Sequence, residues 1–284
     1  MKIVTDCASD ITQEEAKAME LIVAPLFIQF PEGEIDSRDI TSDDFYDRLK
    51  KMVPKIPTTS NPAAGIFSEI YQSLSVKGEE ILSIHISSGL SGTLSSAKQG
   101  AAQLKSNMVS FVDSLTLSGG ERFQVLAAAR AIRAGWDKEK ILERLNMLRE
   151  KTDVIYTLDT LEYLRRGGRI GRVQALAGAL LNLKPIINVD RKDGKYSTIG
   201  KARTINKAIE AIADHLEKEY AQTSVQVTIL HGQFADQAEV LKEVLSKRLN
   251  VALIEVRRIS PVLGVHTGPG IVGAAVCPAA LLAV

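Results

Sequence analysis

Ile84-His85-Ile86-Ser87-Ser88-Gly89-Leu90-Ser91-Gly92-Thr93-Leu94 places four hydroxyl side chains and two glycines between two apolar patterns. The run before it, Ile81 to Ile86, reads as a buried strand. Leu94, Ala97, Ala101 and Leu104 follow at spacings of three or four and read as a helix. A strand that stops at a Gly/Ser turn and restarts as a helix aims free backbone N–H groups at one spot. The helix dipole adds partial positive charge there, so the spot suits a phosphate or a carboxylate. Ser91 on its own fits a helix cap as well as a ligand site.

Three further patches carry polar chemistry. Thr58-Thr59-Ser60-Asn61-Pro62 precedes a periodic run (Ile66, Phe67, Ile70, Tyr71, Leu74). Pro62 suits a first helical turn, which puts Thr59 and Ser60 at a second helix N-terminus, where capping is the commoner role. Leu164 to Arg172 holds four arginines and three glycines, a loop that could bind phosphate, dock an acidic partner or lie in solvent. Ser260 to Gly270 reads as a loop fixed by three glycines and two prolines, with His266 its one polar ring. A lone His is more often structural, but a Gly/Pro loop is not a core face.

The elements that position these patches alternate. Lys2 to Thr5 is a strand ending at Asp6-Cys7-Ala8-Ser9-Asp10, before a helix from Gln13 to Met19. Asp6 at that strand end reads as a turn-bonding residue more readily than as a site residue. Leu21 to Phe30 is a strand with a hairpin at Glu34-Ile35, and Thr41 caps a helix through Leu49. Met108 to Val112 is a strand, followed by helices at Glu121 to Ala134 and Asp137 to Arg149. Such alternation argues a mainly parallel sheet in an α/β domain over residues 1–150, with ligands at the carboxyl ends of its strands. Over residues 151–284, strands at 154–158, 184–189, 196–199, 225–230 and 251–256 mix with helices at 205–220 and 239–249. Asp193-Gly194 signals a hairpin. This half reads as an α+β domain with a mixed sheet. Val173 to Leu183, rich in Ala and Leu, reads as a buried helix that could line an apolar cavity.

The bulk properties narrow the function. Lys+Arg is 35 and Asp+Glu is 34, which leaves no electrostatic footprint for nucleic acid. Aromatics are 5%, too few for a base-stacking surface. Cys7 and Cys277 make neither a disulfide framework nor a zinc site. No apolar run is long enough to span a membrane, and Met1-Lys2-Ile3-Val4 starts as a strand, so a cytoplasmic protein without integral membrane association is expected.

Taken together, Asp6-Cys7-Ala8-Ser9-Asp10-Ile11, Thr59-Ser60-Asn61-Pro62, Ser87 to Thr93, Arg166-Gly167-Gly168-Arg169-Ile170 and His266-Thr267-Gly268-Pro269-Gly270 resemble the DegV family from end to end. The resemblance implies an N-terminal α/β domain and a C-terminal domain with a mixed sheet, and a long-chain fatty acid lying between them. It implies a carboxylate held by Thr59, Ser91 and Gly92 with His266 close by, and an acyl tail in the apolar interior. It also implies a separate ATP-using fatty acid kinase subunit, to which the acid is presented for acyl-phosphate formation. Arg169, Arg172 and Arg203 are expected to face that partner or the phosphate rather than the tail. No cofactor or metal is expected, the fatty acid being the ligand. Without a GxxxxGK[ST] loop the chain is read as a carrier, not an enzyme. Three positions depart from the family pattern: Cys7 stands for Ser, Arg122 for Gly, and Asn61 for Gln.

Two other readings are open. Gly89-Leu90-Ser91-Gly92 is similar to a nucleophile elbow, with His266 as a base for a serine hydrolase, although Thr93 replaces its last glycine. A DNA-binding regulator rests only on the arginines at 165–172, against near-zero net charge.

Overall fold

In a computed structural model, residues 1–284 are described except 103, 105–107 and 177–182. The elements in chain order are β1 (Lys2–Asp6), α1 (Gln13–Ala18), β2 (Ile22–Ala24), β3 (Phe27–Phe30), β4 (Gly33–Asp36), α2 (Ser42–Met52), β5 (Thr58–Ser60) and α3 (Ala64–Ser75). Then come β6 (Ile81–His85), α4 (Thr93–Gly100), β7 (Val109–Asp113), α5 (Ser118–Arg133) and α6 (Lys138–Lys151). The second half holds β8 (Asp153–Leu158), α7 (Glu162–Arg166), β9 (Lys184–Val189), β10 (Tyr196–Ala202), α8 (Ile205–Tyr220), β11 (Val225–His231), α9 (Ala235–Arg248), β12 (Val251–Arg258), α10 (Pro261–Thr267) and β13 (Ile271–Pro278).

The first half builds a parallel sheet in the order β2-β1-β6-β7. The second half builds a six-stranded mixed sheet, β10-β9-β8-β13-β11-β12, in which only β11 and β12 run parallel. This is the α/β fold with parallel and mixed sheets that the alternation argued. A third, small antiparallel sheet, β4-β3-β5, takes up Thr58 to Ser60.

The strands change sheets between residues 113 and 153, but the main apolar core crosses that boundary. It joins Ile3, Leu82 and Ile84 to Val154, Tyr156, Leu158 and Ala275. The bridge is α5, whose glycines let the second sheet approach. A Cβ on Gly119 would meet Ala275 at 2.6 Å, and one on Gly120 would meet Val154 at 2.7 Å. On its other face Glu121 accepts a hydrogen bond from the Thr5 hydroxyl of β1 at 3.1 Å.

Several readings are corrected. Thr58 to Ser60 form a strand paired with β3, and α3 begins only at Ala64, with Ala63 at its N-cap. Thr59 and Ser60 are therefore not at a helix N-terminus. The residues after Ser260 form α10, not a loop; Pro261 sits in the first turn, where a proline is tolerated. Gly264 lets α10 press on α2, since a Cβ there would meet the Phe45 ring at 2.6 Å. His266 is consequently buried, at 8% exposure. Arg165 and Arg166 belong to α7. Helix α9 starts four residues before the position read from periodicity, and β13 was not read at all. The Val173 to Leu183 segment falls largely outside the described residues; its start, Gly171–Leu176, is a 3-10 turn.

Candidate functional site

Three backbone segments converge where β6 ends. The first is the turn from Ser87 to Gly92, which enters α4 with Gly92, a residue without a capping side chain, at the N-cap. Of the leading N–H groups, that of Thr93 is taken by Ser91 Oγ, and those of Leu94 and Ser95 have no partner among the described residues. Ser91 precedes the cap; its Oγ lies 2.8 Å from Thr93 Oγ1 and accepts a longer bond, 3.3 Å, from Thr93 N. The second segment is β5. The third is α10.

Thr59 and His266 meet here: Thr59 Oγ1 lies 2.8 Å from His266 Nε2. The other ring nitrogen, Nδ1, has no hydrogen-bond partner among the described residues and packs against the Gly167 backbone, where any Cβ would collide with it. Burial, reinforced by the nearby Arg169 charge, pushes the His266 pKa down to about 3. The ring is neutral at physiological pH. Its partnered Nε2 and hemmed-in Nδ1 make it an orienter of the Thr59 hydroxyl.

An inner cavity of about 40 Å³ lies among Thr59, Asn61, Ser91, Arg169 and His266 on its polar side and Leu26, Ile86, Val262 and Leu263 on its apolar side. Leu90, Ser91, Arg169 and Tyr196 also line an outer cleft of about 610 Å³, whose wall continues through Gly92, Arg172 and Lys195. The inner polar end therefore opens toward a basic vestibule.

The vestibule's far wall is the β9–β10 hairpin docked onto the Ser87 turn. Ser87 Oγ donates to Gly194 O at 2.9 Å. A Cβ on Gly89 would meet Asp193 O at 2.5 Å. Gly194, at φ +64°, sits against Ser87 and Leu115. The docking brings Lys195 and Tyr196 to Ser91. Neither was singled out in the sequence; only the Asp193-Gly194 turn signal pointed at this segment.

The predicted site residues divide accordingly. Thr59, Ser91 and His266 line the inner cavity, and Gly92 lines the cleft beside it. Arg169 lines both and donates to Gly167 O at 2.8 Å, so it faces the inner polar end as well as the vestibule. Arg172 lines the cleft but is held by Asp193 at 3.0 Å and Asp190 at 3.5 Å. Arg203 is exposed beyond β10 and borders neither space. His266 Nε2 is directed at Thr59, and Ser91 Oγ at Thr93, so the base–nucleophile hydrogen bond of a hydrolase is not formed.

Of the three departures from the expected pattern, Cys7 and Arg122 are buried and Asn61 is exposed. Cys7 Sγ accepts from Leu26 N at 3.0 Å and from Ser37 Oγ at 3.2 Å, and burial pushes its thiol up to about 12. Asn61 donates to Ser96 Oγ at 2.8 Å, tying β5's end to α4. Arg122 closes a ring of charge with Glu15, Arg257 and Glu255. No helix among the described residues is long and apolar enough to cross a membrane, and no cluster of metal-ligand type occurs among them.

Known proteins resemble this chain in sequence and fold. A DegV domain-containing protein of Deinococcus radiodurans is 38% identical over 91% of this chain and 89% of its own. A solved structure described as fatty acid binding of a DegV family protein from Thermus thermophilus superposes with a TM-score of 0.91 at 31% identity, covering 98% of this chain and 99% of that one. Another, described as DegV, a fatty acid binding protein from Bacillus subtilis, gives a TM-score of 0.84 at 28% identity over 97% and 98% of the two chains. The family model described as "Uncharacterised protein, DegV family" matches residues 1–279, which takes in both sheets and all three segments of the site, and the chain belongs to the DegV family.

Proposed function

We propose that the chain binds a long-chain fatty acid, with the carboxylate in the inner cavity. The observation that carries this is the Thr59–His266 hydrogen bond beside Ser91, Arg169 and the N-terminus of α4. A carboxylate needs donors, and this arrangement supplies hydroxyls, N–H groups and one cation. In the tautomer that carries the proton on Nε2, His266 donates to Thr59, which frees the Thr59 hydroxyl proton to point at the ligand. The related structures from Thermus thermophilus and Bacillus subtilis, described as fatty acid binding, support the same class of ligand.

The acyl tail is driven by burial, at roughly 0.8 kcal/mol per CH₂. The carboxylate faces the vestibule of Gly92, Arg169, Arg172 and Lys195. From there a separate ATP-dependent kinase subunit would reach it to form an acyl phosphate, and this chain acts as carrier and presenter. Cofactor and metal have no part in that role. Residues 1–150 and 151–284 serve as the two domains that enclose the ligand. The test is oleate titration of the delipidated chain, wild type against Thr59→Ala and Ser91→Ala. Clear weakening in each variant supports the site, and unchanged affinity in both refutes it.

A further inference from the structure

The segment Asp6-Cys7-Ala8-Ser9-Asp10 contacts neither the inner cavity nor the outer cleft, yet two of its carboxylates are buried at 0% and 8% exposure. Burying a carboxylate costs several kcal/mol unless donors surround it. Each of these has its donors, and each takes one from a backbone N–H remote in the chain. Asp6 Oδ1 accepts from Ala8 N at 3.0 Å. Its Oδ2 accepts from Ile86 N at 3.1 Å and from His85 Nδ1 at 2.9 Å. Behind His85 runs a buried chain: Nε2 to Ser83 Oγ at 2.7 Å, then Ser83 Oγ to Tyr71 OH at 2.7 Å. Asp10 Oδ1 accepts from Ser260 N at 2.8 Å, and its other oxygen accepts from the Ser118 hydroxyl.

The two remote amides flank the site. Ile86 lines the inner cavity and starts the turn that carries Ser91. Ser260 is the N-cap of α10, which carries Val262, Leu263 and His266 into the same cavity. Asp10 and Ser118 both stand at φ +53°, where non-glycine residues are uncommon and persist only when held.

We infer that Asp6 and Asp10 are positioning residues: one five-residue segment clamps the Ser91 turn and the His266 helix at the spacing a carboxylate requires. This rests on the carboxylate reading of the site, but the clamp has its own readout. The clamp predicts that loosening Asp10 moves His266 and loosening Asp6 moves the Ser91 turn, without either residue touching ligand.

The experiment measures oleate affinity and the nitrogen chemical shifts of His266 and of the Ser91 and Gly92 amides in the full chain. Asp10→Ala removes the acceptor, and binding is expected to weaken about tenfold or more, the scale of one hydrogen bond to a charged group. The His266 ring shifts should move with it. Asp10→Asn keeps an acceptor for Ser260 and tolerates a left-handed backbone, so it should restore most of the affinity. Asp6→Asn, which leaves one acceptor oxygen for three donors (Ala8 N, Ile86 N and His85 Nδ1), should move the Ser91 and Gly92 amides and weaken binding.

Tyr220→Phe is the control. Its hydroxyl bonds Lys151 O at 3.0 Å and Val276 O at 2.8 Å, and it borders neither space. It should lower Tm and leave oleate affinity alone. The clamp is overturned if Asp10→Ala lowers Tm while the His266 shifts and oleate affinity stay at wild-type values, or if Asp6→Asn leaves the turn amides in place. A wild-type chain that takes no oleate would refute the fatty-acid reading, and the shift measurements would still decide the clamp.

Discussion

The hydroxyl of Thr59 and the Nε2 of His266 lie 2.8 Å apart although 207 residues separate them in the chain. The pair joins a three-residue edge strand to a seven-residue helix. It fixes the direction in which Thr59 can donate. Thr59→Val keeps the shape of the side chain and removes the donor. Oleate affinity is expected to fall about tenfold or more, by the 1.5–3 kcal/mol of a hydrogen bond to a charged group. Thr59→Ser, which keeps the hydroxyl, should stay near wild type. Equal affinities for Thr59→Val and wild type in calorimetry would remove Thr59 from the site.

His266 is held neutral, with its pKa depressed from 6.5 to about 3 by burial first and the Arg169 charge second. A base whose folded pKa lies below its unfolded one contributes stability that is present above pH 6.5 and lost as the pH falls toward 3. His266→Gln should therefore lose less stability than wild type between pH 6.5 and 4, as read by Tm against pH. The His266 ring followed by NMR should show no titration above pH 4. A midpoint near 6.5 would contradict the neutral ring.

Ser91 lacks the base that a nucleophile needs, because the imidazole in its cavity, His266, is turned to Thr59. The purified chain should hydrolyse p-nitrophenyl esters no faster than background and should leave a fluorophosphonate probe unattached. Turnover lost on both Ser91→Ala and His266→Ala would replace the carrier reading with a hydrolase.

Glu15 closes the ring with Arg122 and Arg257. Its burial opposes ionisation, but the Arg122 fork at 2.6 and 2.7 Å and the Arg257 charge outweigh that and hold it at about 2. Its contribution is present above pH 4.5 and lost as the pH falls through about 2. Glu15→Gln should reduce Tm at pH 7, and the gap to wild type should close toward pH 2. A gap that is constant with pH would mean the ring contributes no charge-dependent stability.

How much of this was legible depended on whether the signal was local. The β6–turn–α4 unit was readable because an apolar run and a helical period adjoin within twenty residues. Thr59 was found but misplaced: a three-residue strand exists only through its pairing with β3, and Pro62 imitates a first-turn proline. Helix α10 was hidden by Gly264 and Pro261, which look like loop residues; Gly264 is there for close approach to Phe45 and Tyr46. Strand β13 escaped because Gly273, Ala274 and Ala275 carry little β signal, yet it sits in the middle of the mixed sheet, where small side chains admit α5 and β8. Lys195 and Tyr196 reach Ser91 only through hairpin docking, a contact that no sequence period encodes.

The central claim is that this cavity takes a fatty-acid carboxylate. Mass spectrometry of the organic extract from chain equilibrated with mixed long-chain fatty acids and then gel-filtered tests it most directly. The account predicts one fatty acid per wild-type chain and its loss from the Thr59→Val, Ser91→Ala double variant. No fatty acid with the wild-type chain, or as much with the double variant, would contradict it.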